Sequence, residues 1–171
     1  MKNEFSARQY IPTLIIILIL LVLPLAGCTT LSKLLSGCGG GGTGTAEIPV
    51  NLSGASGVGS LHIELVYDSA ILEVTAVKAG KLAQNAVVDF NIQTPGRAII
   101  GIVSSNGISG TGAVANIAFK SKAKSGTSAL TLDKVEAYSA DKLQDMRTQV
   151  SVGQFNAKDR SFNAPSITFS P

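Results

Sequence analysis

Apolar and polar positions are organised differently in successive parts of the chain. Leu14 to Leu23 is an uninterrupted run of ten apolar residues, ended by Pro24. Residues 29–45 then lose that character and pass into glycine, with Gly37-Cys38-Gly39-Gly40-Gly41-Gly42-Thr43-Gly44-Thr45 at the end. From Glu47 onward the pattern has a period of two, which marks half-buried strands. Ser60–Tyr67 is the clearest case: Leu61, Ile63, Leu65 and Tyr67 share one face, and Ser60, His62, Glu64 and Val66 the other. Further strands are predicted at Glu47–Leu52, Ile71–Lys78, Ala86–Gln93, Arg97–Val103, Ala113–Ser121, Ala129–Leu132, Val135–Ser139 and Gln149–Phe155. Ser166–Phe169 reads as a last edge strand and Asn156–Arg160 as a polar loop. Pro95-Gly96, Asn106-Gly107 and Gly110-Thr111-Gly112 read as turns between them. Asp68 is expected to cap the turn after Tyr67 with its own side chain. Only Ala140–Met146 suggests a turn of helix. About nine short strands at this spacing predict an all-β fold, an antiparallel β-sandwich or jelly roll.

The apolar run at the start has a different meaning. Lys2 and Arg8 precede it, and small residues follow in Leu25-Ala26-Gly27-Cys28. A basic start, a short apolar stretch and small residues before a cut site describe a secretory signal peptide. Ten residues fall well short of the roughly 20 that a membrane-spanning helix needs. Leu-Ala-Gly-Cys resembles the bacterial lipobox. That resemblance implies cleavage before Cys28 and lipidation of its thiol. The expectation is an exported protein, with residues 1–27 removed and Cys28 anchored to the outer face of the cell membrane, or to an outer membrane. More than one acyl chain gives stable anchoring. Residues 28–45 would then be a glycine-rich leash of about 20–25 Å r.m.s. reach.

Removing residues 1–27 leaves 144 residues, with 12 basic and 10 acidic side chains. This is enough chain for one domain with a real core. Its charge is too small and too scattered to recruit nucleic acid. Lys120, Lys122 and Lys124 are the local exception, and read as a solvated strip that blocks edge-to-edge pairing. With Cys28 lipidated, Cys38 has no partner within the chain, either idle or in an intermolecular disulfide. The core must therefore stand without a disulfide, and the domain is expected to be monomeric.

The strand motifs resemble the cohesin domain family. Glu47-Ile48-Pro49-Val50-Asn51-Leu52 is similar to the opening cohesin strand, and Val66-Tyr67-Asp68 closes the next. Ile71-Leu72-Glu73-Val74-Thr75-Ala76-Val77-Lys78-Ala79-Gly80 follows in the same order. Ser109-Gly110-Thr111-Gly112-Ala113-Val114-Ala115-Asn116-Ile117-Ala118-Phe119 resembles the glycine-led cohesin strand, and Leu132-Asp133-Lys134-Val135-Glu136-Ala137 the strand before the last loop. The likeness runs from about Ala46 to Phe155, so residues 46–155 read as the domain and 156–171 as its tail. It implies a nine-stranded jelly roll, related to cellulose-binding modules, that binds dockerins: small calcium-loaded helical modules appended to polysaccharide-degrading enzymes. The chain departs from the pattern in being short, in having glycine before Glu47, and in lacking repeated modules.

No chemistry competes with a binding role. His62 is the single histidine, no Gly-x-Ser-x-Gly elbow exists, and the carboxylates are scattered rather than paired across a cleft. Asp141 and Asp145 are not spaced as a calcium loop, and one His with one free Cys makes no zinc site. The expectation is therefore no enzyme, no metal and no cofactor. Direct polysaccharide binding is the rival reading. It is disfavoured because the chain has no Trp, and only Tyr67 and Tyr138 remain after residue 27, with Tyr67 facing inward. A structural surface domain without a ligand is a third reading. By the resemblance, the partner would touch Ser60 and His62 on one strand and Ser105 and Asn106 at the end of another. Alternation independently turns Ser60, His62 and Glu64 outward. By the same resemblance, cohesins often carry an acid where His62 stands and another near Ser105, so loss of both predicts an altered partner preference.

Overall fold

A computed structural model describes residues 44–170. The expected signal peptide, Cys28, Cys38 and nearly all of the expected leash lie outside the described residues. The elements are β1 (Thr45–Val66), β2 (Leu72–Ala79), a 3-10 turn (Lys81–Ala83), β3 (Val87–Asn91), β4 (Arg97–Ser121), β5 (Thr127–Ser139), β6 (Thr148–Ser151), β7 (Gly153–Asn156), β8 (Phe162–Asn163) and β9 (Ser166–Phe169). The fold is an all-β sandwich.

Its frame is one long ribbon. β1 and β4 pair antiparallel from Thr45↔Lys120 to Val66↔Arg97, with register shifts between Val50 and Ser60. Bulges of this kind bend a strand and sharpen its twist. The bend here is large. Tyr67 follows one end of the ribbon and Phe119 pairs at the other, a separation of about 70 Å if the ribbon were straight. Their rings instead meet edge to face with centroids 5.5 Å apart. The ribbon therefore doubles over on itself, and its two halves lie in opposite layers.

One layer holds β2, the second half of β4, the first half of β1, β9 and β6. The other holds β3, the first half of β4, the second half of β1, β5, β7 and β8. β9 runs parallel to β1, and all other strand pairs are antiparallel. Inward residues of both halves fill the space between: Ile48, Val50, Leu52, Ile63, Leu65, Ile100, Ile102, Ile117, Phe119 and Ile167 are all buried. The alternation of Ser60–Tyr67 places Leu61, Ile63, Leu65 and Tyr67 in this core, as expected. Asp68 caps its turn: its carboxylate accepts the Ala70 N–H at 2.8 Å.

Several local expectations fail. Asn106-Gly107 and Gly110-Thr111-Gly112 are not turns but lie within β4, with φ of +72°, +110° and +153° at the three glycines. A glycine that breaks alternation signals a bulge as readily as a turn. The strands split there by the sequence pattern are continuous. Ala140–Met146 forms no helix. One helix-type bond joins Leu143 N–H to the Ser139 carbonyl at 3.2 Å, and Leu143 then takes φ +54° and ends it. Gln149–Phe155 divides at Val152 into β6, which pairs with β9, and β7, which pairs with β5. The lysines do not guard an edge. Lys120 is flanked by Thr45 of β1 and Glu73 of β2, and Lys122 donates from Nζ to the Ser69 carbonyl at 2.8 Å.

Candidate functional site

The outer surface of the β3–β4–β1–β5 layer is a flat face whose composition follows from strand pairing. Because Ile100 and Ile102 point inward, their neighbours Ile99, Gly101 and Val103 point outward. Pairing then aligns residues in rows across four strands. The first row is Val87, Val103, Ser60 and Tyr138. The second is Asp89, Gly101, His62 and Glu136, and the third is Asn91, Ile99, Glu64 and Lys134.

The first row is apolar and open. Val87 is 71% exposed, Val103 57% and Tyr138 40%, and only Ser60 interrupts them. Solvent contact of this kind by aligned large side chains marks an interaction surface more than isolated exposed residues do.

The other rows carry the charges, most of them paired with one another. The His62 ring Nε2 lies 3.4 Å from Glu64 Oε1, and since a carboxylate only accepts, Nε2 is the donor. Arg97 pairs with the other Glu64 oxygen, and its Nη2 reaches Asp133 Oδ2 at 3.4 Å. Asp133 is the extra residue of a β5 bulge, between Leu65↔Leu132 and Glu64↔Lys134. Lys134 Nζ sits 3.0 Å from Glu136 Oε1. The His62 hydrogen bond, opposed by desolvation and helped by the Arg97 guanidinium, lowers the Glu64 carboxyl below its ordinary value. The hydrogen bond to Glu136 raises Lys134.

Ser60, His62 and Glu64 form one outward column on β1, half-buried between strands on both sides. Ser105 and Asn106 are exposed beyond Val103, where four residues of β4 are spanned by Gly59 alone on β1. The sequence-derived residues therefore gather at one side of one face. Sequence reasoning missed Val87, Asp89, Val103, Glu136 and Tyr138. Val103 was legible in principle, since it alternates with Ile100 and Ile102. Val87 was not, since Val87-Val88 offers no alternation. Acidity at the face is also greater than the sequence suggested: Asp89 and Glu136 share the His62 row. Among the described residues no group of His, Cys, Asp and Glu could hold a metal ion, and no helix is long and apolar enough to cross a membrane.

The sequence model of the Cohesin domain matches residues 41–157. The chain belongs to the cohesin domain family. Cohesin domains are non-catalytic binding modules, so this one is not an enzyme. Cellulose-binding protein A of Clostridium cellulovorans is 33% identical over 92 residues, which make up 51% of this chain and 5% of that protein. The cohesin fold here superposes on the non-cellulosomal cohesin of the hyperthermophilic archaeon Archaeoglobus fulgidus with a TM-score of 0.57 and 27% identity, over 74% of this chain and 80% of that one. It also superposes on a type I cohesin–dockerin complex from Clostridium thermocellum, with a TM-score of 0.56 and 18% identity, over 74% and 85% of the two chains. The second likeness is one of fold alone.

Proposed function

We propose that this chain is a lipid-anchored, surface-displayed cohesin that captures a dockerin-type helical module on the outer face of β3, β4, β1 and β5. The observation that carries the reading is the open apolar row of Val87, Val103 and Tyr138, bordered by the charged row of Asp89, His62 and Glu136. A helix laid on this face would bury its apolar side chains against the first row. Basic side chains on the same helix would face Asp89 and Glu136, so the face favours a partner that is apolar on one stripe and basic beside it. Solved relatives crystallised with dockerins support the class of partner. Export and lipidation rest on Leu25-Ala26-Gly27-Cys28 and the apolar run before it. Display of a polysaccharide-degrading enzyme at the cell surface is the role this combination fits.

A panel of purified dockerin modules, loaded with calcium, tests the face. At least one is expected to bind the wild type, and Val103→Asp to weaken it at least about tenfold, the effect of a charge placed at the centre of an apolar contact. Unchanged binding by Val103→Asp would put the contact elsewhere, and no binding by any dockerin would remove the assignment. Anchoring is tested separately by palmitate labelling in the host. The wild type is expected to be labelled and membrane-bound, and Cys28→Ser to be neither.

A further inference from the structure

A concave surface adjoins one corner of that face, where the β1–β4 ribbon doubles over. It is a cleft of about 340 Å³ between the 3-10 turn and the bulged middle of β4. Its polar lining comes from Lys81, Gln84, Asn85, Ser104, Asn106 and Ser109.

The walls are built by close backbone contact. Gly80 donates its N–H to the Val114 carbonyl at 2.9 Å, and the turn then closes through Ala83 N–H to the Gly80 carbonyl at 3.0 Å. A Cβ at Gly80 would stand 2.3 Å from the Ala113 carbonyl oxygen, so only glycine lets the turn seat against β4. On the other wall, Ser109 Oγ accepts the Gly57 N–H at 2.8 Å, which leaves its own proton to donate.

Ser104 is the decisive residue. It lies on the inward side of β4 with Ile100 and Ile102 and is only 9% exposed. Its hydroxyl nevertheless has no partner among the described residues. No fully occluded side-chain nitrogen or oxygen lacks a partner among the described residues. The Ser104 oxygen therefore opens into the cleft that it lines. A hydroxyl recessed in this way and free of partners among the described residues is placed to bond whatever enters the cleft in place of water.

The lining defines the chemistry of the occupant. Amides of Gln84, Asn85 and Asn106 and the hydroxyls of Ser104 and Ser109 can each both donate and accept. That matches a ligand rich in hydroxyl groups, which do the same. Leu82 and Ile108 supply an apolar surface for C–H groups. No carboxylate lines the cleft, and Lys81 is its single charge, so an acidic group on the ligand would find a counter-charge. The size lies within the range of small-ligand sites, roughly 300–1,000 Å³.

We propose that this cleft binds a saccharide residue that carries a carboxylate, such as a uronic acid. This activity is distinct from partner capture: Lys81 and Ser104 lie off the β3–β4–β1–β5 face, and only Asn106 is shared with its corner.

Amide chemical shifts of the purified full-length chain, recorded while sodium galacturonate or galactose is added, test the proposal. Galacturonate is expected to shift residues 81–86 and 104–109 saturably, and about fivefold more tightly than galactose, the order an exposed ion pair supplies. Lys81→Gln should bring galacturonate down to the level of galactose. Ser104→Ala, checked for an unchanged melting temperature, should weaken both sugars about fivefold, the worth of one hydrogen bond. No saturable shift with either sugar, or shifts confined to the β3–β4–β1–β5 face, would overturn the site. Equal binding of the two sugars, unaltered in Lys81→Gln, would overturn the preference for an acid.

Discussion

Glu64 sits at the hub of the charged rows, with His62 on one oxygen and Arg97 on the other. These contacts favour its ionised form, so its folded pKa lies below the ordinary value of 4.5. The sign of the linkage follows. The unfolded chain takes up the proton first as pH falls, so Glu64 stabilises the fold fully above the ordinary carboxylate value. That stabilisation is lost as pH drops through the depressed folded value. Glu64→Gln cannot titrate and should therefore melt below the wild type at pH 7. The gap between the two melting temperatures should narrow as the pH falls below the ordinary carboxylate value and through the depressed folded one. A gap independent of pH would mean that the carboxylate's charge is not what holds the network.

At the scale of elements, the doubling of the β1–β4 ribbon is the structural event on which everything else depends. Gly57 and Gly107 both sit at the fold-over with positive φ, +66° and +72°. The backbone cost of adding a side chain, about 1–2 kcal/mol in this conformation, is shared by the two. Their surroundings differ. A Cβ at Gly57 meets nothing within 4 Å, whereas one at Gly107 would stand 2.9 Å from the Gly57 Cα. Chemical denaturation should accordingly find Gly57→Ala destabilised by about 1–2 kcal/mol. Gly107→Ala should lose about 1 kcal/mol or more beyond that, because backbone must move to admit it. Equal losses would show that the contact relaxes freely. Gly107→Ala should also loosen the neighbouring cleft and the Ser105–Asn106 corner of the face, since the same bulge carries both.

For the molecule as a whole, the described residues form one compact unit. Its core is continuous through both layers, from Ile48 to Phe169. A chain beginning near Gly44 should fold by itself, give a β-type far-ultraviolet circular dichroism spectrum and melt in one cooperative transition. Leu65 is 1% exposed at the centre of that core, so Leu65→Ala should cost about 2–5 kcal/mol. A smaller loss would mean that the two layers can close over the vacated space. β9 adds to this unit from the far end of the chain by pairing with Asn51–Ser53 of β1. Truncation before Ser166 should therefore lower the melting temperature rather than merely trim a tail.

The sequence by itself determined which side of a strand a residue occupies. Period two in Ser60–Tyr67 assigned Leu61, Ile63, Leu65 and Tyr67 to the core and Ser60, His62 and Glu64 to the surface, because successive side chains must point to opposite faces. The order of motifs from Glu47 to Ala137 determined the family, and through it the sandwich. Alternation could not determine neighbours. Val87, Val103, Ser60 and Tyr138 make one row only because residues far apart in the chain pair across four strands, and a local period carries no information about that register. Nor could it separate a bulge from a turn at Gly107, Gly110 and Gly112, where the same residue type serves both. The tertiary structure decided those points: once the ribbon doubles to bury both of its inward faces, the glycines must bend rather than reverse the chain. The same packing closes the cleft over Ser104, a residue that nothing in its local sequence distinguishes from the other serines.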